Sequence, residues 1–436
     1  MQKNHSCSVT DGAAALAALF DNGNYSELGA HVLRSSGEKE GVVCGYGPVD
    51  GRLCFAFAQD AAQMNGAFDS RAGGKIRNLY ELAMKSGAPV IGVFGCGGSV
   101  VTEGASLLSG LGSLFSSAVS AGEKIPQIAL ILGDCTGSMA ITASLFDVCI
   151  AVKGTEFSAG AESVLGSPSD PAACGLSALT AENAADGFRM ARSLLGALPD
   201  CVGAGPALTD ETDLNRALTL TKEEAKNTQT LLSALSDNGS FIELFAGYGH
   251  DITAGFAPMA GRSVGLVALC GLLSPDGADK AARFVKLCGR FGIPLITLID
   301  SEGFEVSLHA EQKGMVLAMA SLAKAYRLCA APRISVVTGS ACGAVLPLMG
   351  SRAGAADVSF ALEDTVISPL PPARAVAFLM NDQVSDRMPR DVLESSFAEK
   401  EASAQKAAFL GDIDFTVTLP ELRARLCGAL LMLSGN

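Results

Sequence analysis

Residues 338–347 read TGSACGAVLP and follow the apolar run RISVV. They hold no acid, no base and no histidine, so any chemistry done here must come from the backbone. A strand that runs into small residues lets a backbone approach another helix, or a ligand that needs bare N–H groups. Residues 133–140, GDCTGSMA, repeat the design: an apolar strand, G-x-x-x-G, then small or apolar residues suited to start a helix. The N–H groups of a first helical turn have no intrahelical partner and, with the helix dipole, can hold an anion or a developing oxyanion. Glycine at Gly137 and Gly343 allows close approach without a Cβ. One such turn is most simply tight helix–strand packing. Two at equivalent positions, in surroundings that differ, point to paired anion holes.

Other chemistries find less support. GCGGSV at 95–100 places Val100 where the third glycine of a dinucleotide loop belongs, and no acid follows at the required distance. His5, His31, His250 and His309 are isolated and expected in loops or at the surface. Asp300 and Glu302, in LIDSEGF, stand at a strand end. An acid or base role is open to them, and capping a helix or lining a turn is the simpler one. G-x-S-x-G and H-E-x-x-H do not occur. The 13 cysteines include no C-x-x-C pair and no Cys/His cluster, so reduced thiols are expected and no metal site is.

These turns must be carried by elements of a large chain. Its 436 residues exceed one small core, and two domains of roughly 200 residues each are expected. With 49% hydrophobic and 18% charged residues, no Trp and few aromatics, the apolar mass is Ala, Leu, Val and Ile, which suits α/β layers. A net charge of −13 argues against non-specific nucleic-acid binding and against anionic lipid. It leaves an anionic substrate possible through local N–H groups. The amino terminus lacks the apolar core of a signal peptide, and a cytoplasmic protein is expected. Of two uncharged runs, 104–122 is expected as a buried helix and 334–351 as strand, turn and helix.

An internal repeat organises the chain. KIRNLYELAMKSGAPVIGVFG (75–95) and KAARFVKLCGRFGIPLITLID (280–300) share Lys, Leu, Gly, Pro and Ile at an offset of 205. Each predicts an amphipathic helix, a Gly stop with Pro, and a buried strand. IPQIALILGDCTGSMA (125–140) and APRISVVTGSACGAVL (331–346) match at an offset of 206, through Pro126, Gly133 and Gly137 against Pro332, Gly339 and Gly343. GYGPVDGRLCFAF (45–57) and GFAPMAGRSVGLV (255–267) form a third pair, hairpin-like with a Gly-Arg turn. Three matches in one order mean two copies of one domain, at 1–208 and 240–436. The polar stretch 209–240 is expected to connect them, with little periodicity of core quality.

Nearly the whole chain resembles the biotin-dependent carboxyltransferases, the subunits of acyl-CoA carboxylases and of sodium-pumping acyl-CoA decarboxylases. The resemblance rests on KIRNLYELAMKSGAPVIG with GGSVVTEG, on DKAARFVKLCGRFGIPLITLIDSEGF, and on the closing GDIDFTVTLPELRARLCGALLML. It implies an α/β fold of two tandem crotonase-like β-β-α superhelices. It also implies a homo-oligomer in which the amino domain of one subunit faces the carboxyl domain of another. By the same resemblance Gly137 and Ser138 hold the thioester oxygen of an acyl-CoA. Gly343, Ala344 and Val345 hold the ureido oxygen of biotin, Gly97 and Gly98 line the acyl-CoA side, and Pro347 stands where the acyl chain is selected. The mechanism needs no side-chain base, because the ureido nitrogen takes the α-proton. No A-M-K-M biotinylation motif occurs, so biotin comes on a separate carrier protein, and the pump variant adds a membrane subunit as partner.

The chain departs from the family pattern. D-S-G-G-A-R is GCGGSV here, without the acid at Gly95 and the Arg at Val100; A-G-G-A is TGSM, and A-Y-G-G-A-Y is ACGAVL. The R-H-G-A-K helix is replaced by LAMAS at 317–321. The alternative to an active carboxyltransferase is a non-catalytic subunit that scaffolds an assembly or pairs with an active homologue.

Overall fold

The computed structural model describes residues 11–433 apart from 34–36, 38, 96–97, 161, 166–169 and 209–212. The chain divides into two compact units, Met1–Ala204 and Gly205–Asn436.

In the first unit β1 (Ser26–Leu28), β2 (Val42–Val49), β3 (Arg52–Gln59), β4 (Val90–Phe94), β5 (Gln127–Ile131), β7 (Val148–Val152) and β9 (Leu179–Ala181) form one sheet in that order. β6 (Cys135–Thr136) and β8 (Phe157–Ser158) pair apart from it. In the second unit β10 (Ile242–Leu244), β11 (Ile252–Met259), β12 (Arg262–Cys270), β13 (Leu295–Ser301), β14 (Arg333–Cys342), β15 (Val358–Leu362) and β17 (Phe415–Val417) repeat the order. β16 (Val366–Ser368) pairs with the last residues of β14. Each sheet is antiparallel through its first three strands and parallel beyond them. The sequence repeat is a repeat of topology.

Local chemistry explains why. The Gly-Arg hairpins turn through Asp50–Gly51 (φ +50° and +77°) and Ala260–Gly261 (φ +55° and +72°). Two successive positive φ values make the two-residue turn that matches strand twist. Helix Ser70–Ser86 is capped by the Asp69 carboxylate, and Pro275–Phe291 by the Ser274 hydroxyl with Pro at its first position. Each ends on a left-handed glycine, Gly87 or Gly292, and a proline then leads into a strand buried on both faces.

Beneath the repeat lies a second one that the sequence matches did not include. Asp21-Asn22-Gly23 and Asp237-Asn238-Gly239 form the same short turn, with Asn φ +54° and +57°. The Asp21 carboxylate accepts from the β2–β3 turn and is paired with Arg192 at 2.8 Å. Asp237 accepts from Gly261 and is paired with the fully buried Arg423. Arg192 also donates to the Leu19 carbonyl, and Arg423 to that of Leu235. Thus one arginine from a late helix pins the Asp-Asn-Gly turn of each unit to its hairpin.

Two expectations are corrected. Helix Ala105–Gly122 is buried on one face only: Leu107, Leu111, Leu114 and Ala118 face the core, whereas Leu108 and Val119 are exposed. By length and apolarity alone it equals a membrane span, and it packs against Ser70–Ser86. The polar stretch after residue 209 is not core-free, because helix Thr228–Leu235 buries Leu231, Leu232 and Leu235 in the second unit. Leucines at i, i+1 and i+4 give a short stripe, easily missed among so many polar neighbours.

Candidate active site

The first turn grows from β5, which is wholly buried. After Gly133 the chain forms β6, which lies parallel to β8. Gly137 then adopts φ +61° and ψ −130°, and its N–H donates to the Ser158 carbonyl at 3.2 Å. That φ favours glycine, and among the described residues, its chain neighbours apart, no heavy atom lies within 4 Å of where its Cβ would be. Helix Ser138–Ser144 follows, its first intrahelical bond running from the Ile141 N–H to the Gly137 carbonyl. The N–H groups of Ser138, Met139 and Ala140 have no partner among the described residues. The glycine shapes the turn, and the free donors begin one residue later.

The second turn repeats this. β14 runs ten residues, pairing first with β13 and β15 and at its end with β16. Gly343, at φ +64°, donates its N–H to the Ser368 carbonyl at 3.0 Å. Ala344 caps helix Val345–Met349 with φ −71° and ψ −10°, and its carbonyl accepts from Leu348. Ala344, Val345 and Leu346 keep unpartnered N–H groups among the described residues, while Pro347 has none to give. Ala344 and Pro347 are exposed, and Val345 is buried. The open space over Gly343, where among the described residues beyond its chain neighbours nothing comes nearer than 3.7 Å to a Cβ, together with neutral N–H donors, fits a urea oxygen that gains negative charge.

The surrounding residues brace these turns. Asp300, at the end of β13, accepts from the Ser340 N–H at 2.8 Å. A Cβ on Gly339 would lie 2.1 Å from that carboxylate, so glycine is obligatory there. Burial pushes the Cys342 thiol up to about 11, which keeps it protonated and inert. Gly98 (φ +99°) is tied to Phe68, which donates to its carbonyl at 2.9 Å, and the Val100 N–H returns to the Phe68 carbonyl. Gly97 lies outside the described residues. His31, His250 and His309 are exposed and far in sequence from either turn. Among the described residues no group of three or more His, Cys, Asp or Glu could hold a metal.

Sequence reasoning missed the acceptors that hold the glycines. Ser158 and Ser368 follow Thr155 and Thr365, whose hydroxyls each donate at 2.7 Å to the carbonyl three residues back. The shared T-x-x-S, at a common offset of 210, was the available signal.

A carboxyl transferase domain matches residues 13–433. The chain is 30% identical to the methylmalonyl-CoA decarboxylase subunit alpha of Veillonella parvula, with 100% of this chain and 92% of that one covered. It is 31% identical to a putative propionyl-CoA carboxylase beta chain of Bacillus subtilis, over 91% of this chain and 83% of that one. Transcarboxylase 12S, solved as a hexamer with methylmalonyl-coenzyme A and methylmalonic acid bound, superposes with a TM-score of 0.92 at 26% identity, covering 100% of this chain and 92% of that one. The duplicated crotonase-like units, the two small-residue turns and these matches place the chain in the carboxyl transferase domain family, and by class it is a biotin-dependent acyl-CoA carboxyltransferase.

Proposed function

We propose that the chain removes the carboxyl group of a small acyl-CoA, methylmalonyl-CoA being the first candidate, and passes it to biotin on a separate carrier. The observation that carries this reading is the pair of matched turns, each presenting three N–H groups without a partner among the described residues, beside a left-handed glycine. The decarboxylating direction is the first to test because the methylmalonyl-CoA decarboxylase subunit alpha of Veillonella parvula matches over the whole of this chain.

Ser138 and Met139 donate to the thioester oxygen as the α-carbon loses its carboxyl group and the enolate forms. Gly137 supports them by its backbone conformation, since its own N–H is held by Ser158. Ala344 and Val345 donate to the ureido oxygen, with Gly343 in the role of Gly137. Biotin, when bound, would supply a ureido nitrogen that accepts the carboxyl group and whose displaced proton goes to the α-carbon of the enolate, the reverse of the transfer in the carboxylating direction. Each N–H donor aimed at developing charge contributes about 3 kcal/mol, and no side-chain base is needed. The departures from the family pattern then leave activity intact, because they change side chains while the backbone donors stay. Pro347 and LAMAS bear on which acyl chain is taken.

The two holes serve different substrates and are proposed to meet between subunits of a homo-oligomer in the cytoplasm. Exposed apolar side chains support the assembly, among them Val101 and Leu108 in the first unit and Leu308, Leu317 and Leu328 in the second. A carrier protein, and in a sodium pump a membrane subunit, complete the set of partners. The test is carboxyl release from methylmalonyl-CoA by the purified chain with and without free biotin, with Ser138→Pro beside it. Biotin-dependent turnover lost in Ser138→Pro supports the assignment. An equally active Ser138→Pro protein places the thioester hole elsewhere.

A further inference from the structure

We infer that Gln59 is a positioning residue for the acyl-CoA-side anion hole, an inference that rests on the thioester reading of that hole. Gln59 ends β3 and is 1% exposed. Its Nε2 donates to the Gly66 carbonyl at 3.1 Å and to the Met139 sulfur at 3.4 Å, and its Oε1 accepts from the Gly95 N–H at 3.1 Å. One amide therefore joins three segments: the loop after β3, the chain leaving β4, and the first turn of the hole helix. The amide cannot be flipped, because a flip would set donor against the Gly95 N–H and acceptor against the Gly66 carbonyl. Met139 is 2% exposed and is, after Ser138, the second of the two proposed donors, so fixing its side chain fixes the helix start that carries both N–H groups.

The second unit shows what this brace replaces. There the side chain that ties the strand end to the turn is Asp300, on the Ser340 N–H. Its counterpart at the offset of 205 is Gly95, which has no side chain, and the counterpart of Gln59 at the offset of 210 is the apolar Leu269. The two units have thus moved the brace from one strand to its neighbour. Where Asp300 reaches out of β13, Gln59 reaches out of β3 and takes the bare Gly95 N–H instead.

The test uses the full chain, free biotin and methylmalonyl-CoA, with Gln59→Met, Gln59→Glu and Met139→Leu. Misplacing donors by about 1 Å costs about 100-fold in rate. Gln59→Met is expected to lower kcat about 10- to 100-fold, with KM for biotin unchanged. Gln59→Glu, whose neutral form restores a donor and an acceptor, is expected to regain activity as pH falls, in a profile the wild type lacks. Met139→Leu keeps the volume and loses only the sulfur contact, with an expected kcat loss of about 3- to 10-fold. A folded Gln59→Met protein with wild-type kcat, or a Gln59→Glu profile parallel to the wild type, overturns the inference. If Gln59→Met does not fold, Met139→Leu decides: unchanged kcat means that the tie does not position the hole. Should the wild type itself show no biotin-dependent turnover, the functional reading fails first. An inactive Ser138→Pro beside a fully active Gln59→Met fails the inference alone.

Discussion

Replacing Ala344 by proline deletes one N–H from the proposed biotin-side hole and little else. The residue sits at φ −71°, inside the range that the proline ring imposes. Its N–H has no partner among the described residues, so no structural bond is lost. The restriction that proline places on its predecessor falls on Gly343, a glycine already at φ +64°. Three donors are available in this turn, Ala344, Val345 and Leu346, and Pro347 contributes none. Losing one therefore removes a third of the set, with no neighbour to take over. Removal of one oxyanion donor costs about 2.7–4 kcal/mol, or about 100- to 1,000-fold in kcat. The assay is methylmalonyl-CoA decarboxylation at saturating biotin, with thermal unfolding alongside to show that the fold survives. The expected result is a large fall in kcat at nearly unchanged KM for the acyl-CoA. A folded Ala344→Pro protein within about threefold of wild-type kcat refutes the reasoning.

Other parts of the account make separate claims. Arg423→Met leaves the buried Asp237 carboxylate unpaired and should destabilise by about 3–5 kcal/mol, whereas the half-exposed Arg192→Met should cost about 1 kcal/mol; denaturant unfolding compares the two. Gly339→Ala drives a methyl group into Asp300 and should destabilise strongly, while the added change Asp300→Ala should recover part of the loss, so that the two effects are not additive. Burial pushes the pKa of Lys280, 1% exposed and donating to the Tyr248 carbonyl, down to about 8, below the ordinary lysine value of 10.5. The folded chain then sheds this proton before the unfolded chain does. Its cost to stability is full below pH 8 and fades up to the ordinary lysine value. The stability of the wild type relative to Lys280→Met should rise across that window, and a flat difference contradicts the assignment.

The sequence carried whatever is local. The glycine stops at Gly87 and Gly292 and the Gly-Arg hairpins depend on residues a few positions apart and were legible; the helix caps at Asp69 and Ser274 are equally local but were not anticipated. The paired turns were legible because duplication wrote them twice. What could not be seen was which N–H groups stay free. The Gly137 and Gly343 amides are taken by Ser158 and Ser368, more than twenty residues downstream, through strand pairing that no short window reveals. Gln59 was hidden for the same reason, since its three partners come from three separate segments. The Arg423–Asp237 pair joins residues 186 apart, and its twin Arg192–Asp21 lies at a different spacing, so no constant offset exposes it.

The central claim is that two backbone anion holes, one in each unit, together move a carboxyl group between an acyl-CoA and biotin. It is tested most directly by incubating the purified full-length chain with methylmalonyl-CoA and increasing free biotin, and following the conversion to propionyl-CoA. The account predicts turnover that rises and saturates with biotin and is lost separately in Ser138→Pro and in Ala344→Pro. A folded chain whose conversion of methylmalonyl-CoA is independent of biotin, or is unaffected by either substitution, would contradict it.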